Sequence, residues 1–204
     1  MARDLPLRCA CGKLRGLARD VSPELGNHVV CYCGDCQAFA RFLDRPGTTD
    51  DAGGTAIFQL PPSHVTLTEG LDQLRCMRLS ARGLHRWYAG CCRTAIANTV
   101  GAGTPFVGLI HTCIEHERGA RDQLLGKPFL IHARQARGAA PAGAHPKVPL
   151  ALIARIVPKL AKWLLTGKGS PSPFYGSKGA PRVEPQILTA SERDDLRGEA
   201  RPGS

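Results

Sequence analysis

Five of the nine cysteines fall into two tight clusters, Cys9-Ala10-Cys11-Gly12 and Cys31-Tyr32-Cys33-Gly34-Asp35-Cys36, and a vicinal pair follows at Cys91-Cys92. Thiolates two or three residues apart can converge on one ion from a single tight turn, and a tetrahedral zinc takes sulfurs at about 2.3 Å. Gly12 and Gly34 follow ligand positions, where such a turn often needs a positive φ or a close backbone approach. Neither cluster fills four positions alone, so the Cys91-Cys92 segment has to be read together with one of them. A disulfide framework fits poorly, because the cysteine count is odd, the chain is long, and Met1-Ala2-Arg3-Asp4-Leu5-Pro6 lacks the apolar run of a secretory signal. Cys76 and Cys113 stand singly in apolar stretches and read as buried thiols.

The elements that must position these sulfurs are short. Turn signals such as Asp51-Ala52-Gly53-Gly54, Pro61-Pro62-Ser63 and Ala102-Gly103-Thr104-Pro105 divide residues 5–114 into nine candidate strands: 5–10, 14–18, 27–31, 55–60, 65–68, 74–79, 84–88, 94–99 and 106–114. The expectation is a mainly β body, thin in aromatics, that bound metal would help to hold together. Its domain spans residues 1–115, and residues 116–204 form a basic, partly helical C-terminal extension.

In that extension residues 115–125 read as helical, 138–149 as a linker rich in Ala, Gly and Pro, and 150–165 as an amphipathic helix. The helix carries Arg155, Lys159 and Lys162 on one face and Ile153, Val157, Leu160 and Leu164 on the other. Pro158 should kink or split it. Packing on its own domain or on a second copy, as a homodimer, is the more ordinary use of such a stripe, and an anionic membrane surface is the alternative. Thr189 with Glu192 forms a capping box for a last short helix.

The formal charge of +10 is concentrated between Arg121 and Arg182, where eleven Lys or Arg face one acid, Asp122. Nucleic acid is not the expected partner: after Arg134 the large aromatics are Trp163, Phe174 and Tyr175, few for a single-strand stacking platform. No stretch is long and apolar enough for a transmembrane segment, and the expected location is cytoplasmic, where thiols stay reduced.

The order of clusters, Cys-x-Cys-Gly, then Cys-x-Cys-x-x-Cys-Gln, then Trp87-Tyr88 leading into Cys91-Cys92, resembles the glutathione-dependent formaldehyde-activating enzyme family, which includes the centromere protein V group. The resemblance covers residues 5–115. It implies a β-tent fold of the Mss4-like type with two zinc ions: a structural one held by Cys9, Cys11 and Cys92, and a proposed catalytic one held by Cys31, Cys33 and Cys36. It also implies a carbon–sulfur lyase step that forms or cleaves S-hydroxymethylglutathione.

Two departures mark a divergent branch. Ala89 stands where the family's late motif has its first cysteine, and an alanine methyl cannot bind zinc. Either Cys91 supplies the fourth sulfur through a vicinal arrangement, or the zinc is three-coordinate with a water, or that metal is lost and one ion remains. Cys92 is the favoured ligand, since neighbours on an extended segment point to opposite sides. The run Gln37-Ala38-Phe39-Ala40-Arg41-Phe42 is also bulkier than the family's, which bears on whether the ligand is glutathione or another small thiol. No catalytic residue is assigned. Asp35, His28, His111, His116, Arg41 and Arg45 lie near enough in sequence to be candidates, and structural or surface roles are the ordinary reading of each. The competing function is a non-catalytic, zinc-stabilised binding module that uses its basic C-terminal region on an acidic partner.

Overall fold

The computed structural model describes residues 2–45, 47–115 and 121–198. Strand residues outnumber helical ones, and the nine expected strands all form: β1 Arg3–Arg8, β2 Arg15–Val21, β3 Asn27–Cys31, β4 Thr55–Leu60, β5 Val65–Glu69, β6 Leu74–Arg78, β7 His85–Ala89, β8 Ala95–Thr99 and β9 Val107–Ile110. The last is shorter than expected because residues 111–113 tighten into a 3-10 turn. Two short strands, β10 Phe129–Ile131 and β11 Gln186–Ile187, come from beyond residue 115.

The strands form two layers. One is a three-stranded antiparallel sheet in the order β1-β2-β5, and the other has eight strands in the order β10-β3-β4-β9-β8-β7-β6-β11. The large sheet is antiparallel except at its two edges, where β10 runs parallel to β3 and β11 parallel to β6. Leu7, Leu14 and Leu67 of the small-sheet layer meet Phe58, Leu60, Trp87, Ile96 and Leu109 of the large one in a single core. Phe174 and Tyr175 join it from the C-terminal half. The Phe174 ring lies 5.1 Å from that of Trp87, and the Tyr175 hydroxyl sits 2.6 Å from the Thr99 hydroxyl, which accepts the Trp87 indole N–H at 2.9 Å.

The described residues also form four α-helices: α1 Gly34–Leu43, α2 Arg121–Leu125, α3 Leu150–Leu165 and α4 Ala190–Arg197. Of the helix expected from residue 115, residues 116–120, His116 among them, lie outside the described ones. Helix α1 was not foreseen; Cys36, Phe39 and Leu43, at helical spacing, are its buried face. It ends at Asp44 in the left-handed conformation.

Helix α3 has the expected bounds and is not split. Pro158 lies on its exposed side, where the carbonyl that loses its partner can turn to water. Its polarity is the reverse of ordinary packing on its own domain: Leu152, Ile156 and Trp163 face inward, Arg155 and Lys159 donate to the carbonyls of Pro23 and Gly26, and the main apolar stripe faces out. The Thr189 and Glu192 capping box opens α4 as the sequence predicts.

Candidate metal centres

The first group of sulfurs is built where the two sheets meet. Cys9 and Cys11 occupy the turn between β1 and β2. There the Gly12 N–H donates to the Cys9 carbonyl at 2.9 Å, Gly12 has φ 78°, and the Leu14 N–H points at Cys9 Sγ at 3.3 Å. Cys91 and Cys92 occupy the turn between β7 and β8. Arg93, with φ 56°, donates its N–H to the Ala89 carbonyl at 2.7 Å, and Ala89 donates to Thr94 at 2.9 Å.

Because residues 90–92 form a turn and not an extended segment, the two neighbouring cysteines do not diverge, and all four sulfurs lie within 4.8 Å of one another. Cys9 and Cys11 are 3.6 Å apart, Cys9 and Cys91 3.8 Å, Cys11 and Cys91 3.3 Å, and Cys91 and Cys92 3.8 Å. Ligands at about 2.3 Å around a tetrahedral ion stand about 3.8 Å from each other, so the four sulfurs are close enough together to hold one metal ion. Ala89 itself is fully buried in the core, on strand β7.

Thr94 tunes this group. Its hydroxyl oxygen accepts the Ala10 N–H at 3.0 Å, which leaves its own hydrogen for Cys92 Sγ, 3.1 Å away. Burial opposes ionisation of Cys92, but the Thr94 hydroxyl and the backbone N–H groups of Cys11 and Thr94 outweigh it and bring the thiol down to about 6. Burial and the crowding by Cys11 and Cys9 push the Cys91 thiol up, since four such close thiols cannot all ionise without a cation.

The second group, Cys31, Cys33 and Cys36, also lies within 4.8 Å, and among the described residues no fourth Cys, His, Asp or Glu joins it. Cys31 ends β3, Cys33 caps the N-terminus of α1, and Cys36 sits in its first turn, donating its N–H to the Cys33 carbonyl at 3.0 Å. The positive end of a ten-residue helix favours thiolate there. Segment 129–137 fastens the loop: the Gln37 side-chain amide donates to the carbonyls of Tyr32 and Gln135, at 2.8 and 2.6 Å, and the Gln135 side chain accepts the Gly34 N–H at 2.7 Å. Leu152 and Ile156 of α3 and Ile131 of β10 share an apolar cluster with the three cysteines. Cys31 and Cys36 are buried, and Cys33 is partly exposed.

A charged side chain that the sequence reading did not select belongs to this group. Arg86 is 2% exposed, lies over the Phe39 ring at 5.4 Å, and reaches toward Asn98 and, at 3.9 Å, toward Asp35. Hydrogen bonds from the Cys31 and Cys33 thiols, and then the Arg86 guanidinium, hold the Cys36 thiol well below its ordinary range against burial. The matching shift of Cys31 is upward, caused by its sharing of hydrogen with Cys33 and Cys36 and by burial. Nothing local in Arg86-Trp87-Tyr88 marks the arginine as buried; its place follows from α1, which sets Phe39 and Cys36 above β7.

The other candidates are structurally occupied. Asp35 is paired with Arg197 of α4 as well as with Arg86, and Arg41 donates to the Leu196 carbonyl at 2.5 Å. His28 is buried against the Gly126 carbonyl, and His111 bridges the carbonyls of Ala56 and Gly47. Arg45 lines a cleft of about 680 Å³ with Asp50, Asp51 and His111, which reaches the four-sulfur group through Ala10 and Thr94 but has no cysteine in its wall. Cys76 and Cys113 are buried and belong to neither group, as their apolar surroundings in sequence predict. No helix of the described residues is long and apolar enough to cross a membrane.

These features define a mainly β protein whose sheets carry two cysteine groups able to hold metal ions. The chain belongs to the family of unknown function DUF6151, whose profile matches residues 1–184, a span that takes in β10 and α3. No curated protein matches it.

Proposed function

We propose that the chain binds two zinc ions, one in a closed cage of Cys9, Cys11, Cys91 and Cys92 and one at an open centre of Cys31, Cys33 and Cys36, and that the open centre acts on adducts of small thiols as a carbon–sulfur lyase. The observation that carries this reading is the contrast between the two groups: four sulfurs near tetrahedral edge lengths in one, and three sulfurs without a fourth described ligand in the other. An all-sulfur donor set suits zinc.

When bound, a three-thiolate zinc offers a mild Lewis-acid position to a thiolate or carbonyl oxygen. In the reaction itself the thiol sulfur bonds to the carbonyl carbon of formaldehyde and the thiol proton ends on its oxygen; cleavage is the reverse. Arg86 offsets the negative charge that three thiolates concentrate at Cys36. Gln37 and Gln135 fix the loop, and the partly exposed Cys33 marks the side from which a ligand would enter. The Mss4-like fold and the kinship with formaldehyde-activating enzymes are part of the same proposal, supported by the cluster order.

The test mixes formaldehyde with glutathione, or with cysteine, and follows the hydroxymethyl thioether by NMR with the zinc-loaded protein and with its Cys33→Ser variant. Acceleration by the wild type alone supports the reading. Equal rates with both thiols and both proteins leave a zinc-stabilised, non-catalytic domain.

A further inference from the structure

The inner side of α3 is used: Leu152 and Trp163 are buried, and Arg155 and Lys159 hold the loop before β3. Around the rest of the helix, Leu150, Ile153, Val157, Leu164 and Leu165 are 82, 42, 56, 63 and 87% exposed, on an arc that Ala154, Pro158 and Ala161 complete without a polar residue. No described residue covers that arc. A helix of 16 residues is about 24 Å long, too short to span a bilayer upright and long enough to lie in its surface.

We propose that this outward face of α3 docks in the plane of an anionic lipid membrane. The occupant is chosen by charge. Lys162 borders the apolar arc, Lys147 and Lys168 stand exposed just before and just after the helix, and from Lys127 to Arg182 the chain has no acid at all. A second copy placed on this face would bring one basic surface against another. Phosphate-bearing headgroups complement it, and the lysine stems can lie along the acyl boundary with their ammonium groups at headgroup level. The apolar arc supplies the buried area that a polybasic patch alone lacks.

The experiment floats the zinc-loaded 204-residue chain with vesicles of phosphatidylcholine alone and with vesicles that also contain phosphatidylserine. The expected result is binding to the anionic vesicles only, weakening as salt is added, reduced about fivefold by Lys162→Ala and lost in the Val157→Glu, Leu164→Glu double variant. Both substituted side chains in the double variant are solvent-exposed, and its zinc content and circular dichroism report whether it folds; Lys162→Ala carries the test if it does not. Failure to bind anionic vesicles, or equal binding by the wild type and the folded double variant, overturns the proposal. So does a concentration-dependent dimer that the double variant abolishes, because a second copy then owns the face.

Discussion

The sulfurs of Cys11 and Cys91 lie 3.3 Å apart although 80 residues separate them, and they belong to turns of different sheets. A metal held between them would act as a cross-link between the layers.

That cross-link has a measurable worth. By the chain-entropy relation, closing a loop of this length stabilises the folded state by about 4 kcal/mol. Elemental analysis is expected to give two zinc ions per chain, falling to one in Cys91→Ser and in Cys11→Ser alike, with a lowered thermal midpoint in both. A Cys91→Ser protein that keeps both ions would return the fourth position to water.

Arg86 should control metal at the other centre. Replacing it with Met keeps the stem over Phe39 but removes the guanidinium that favours Cys36 in its thiolate form. Zinc affinity at Cys31, Cys33 and Cys36 is expected to drop roughly 10- to 100-fold, the scale seen when a group supporting a ligand is lost, while the four-sulfur site keeps its ion. Competition with a chromogenic chelator, run in the Cys11→Ser background, isolates the effect.

Lys159 gives a pH dependence of definite sign. Burial, and then Arg155, lower its pKa to about 8 from 10.5, so between those values the unfolded chain binds the proton that the folded chain has released. Its contribution therefore makes stability rise with pH from about 8 to 10.5, and the cost of charging it is fully present below pH 8. Because the ammonium is partly in solvent, screening trims this to about 1 kcal/mol. Denaturant midpoints of wild type and Lys159→Met, compared at pH 7.5 and 10, should show the wild type gaining on the variant at the higher pH.

The C-terminal half should prove inseparable from the core. Phe174 is fully buried against Trp87, and Phe174→Ala is expected to cost about 3 kcal/mol and to shift the Trp87 emission to the red. Tyr175→Phe, which removes a hydroxyl placed between Thr99 and His85, should cost about 1 kcal/mol. Chemical denaturation read by fluorescence checks both.

The strands were legible because turn residues punctuate them and apolar positions alternate between the turns. The sulfur groups were legible because ligand spacing is a local property. Helix α1 and the two edge strands were not, and three further features show why. The vicinal pair depends on a positive φ at Arg93, a position that no glycine announces. Arg86 is buried by residues that α1 brings from elsewhere in the chain. In α3 the periodicity separates two faces correctly, but which one turns inward depends on the carbonyls of Pro23 and Gly26, and nothing inside residues 150–165 encodes them.

The placement of β10 and β11 also bears on how the protein is made. The large sheet is bounded at both ends by strands contributed late in the chain, so while residues 1–115 leave the ribosome, β3 and β6 present bare hydrogen-bonding edges. Residues 129–131 and 186–187 arrive afterwards as edge guards. A nascent or truncated chain without them carries two open templates for pairing with its own copies, which the short C-terminal strands cover in the finished sheet.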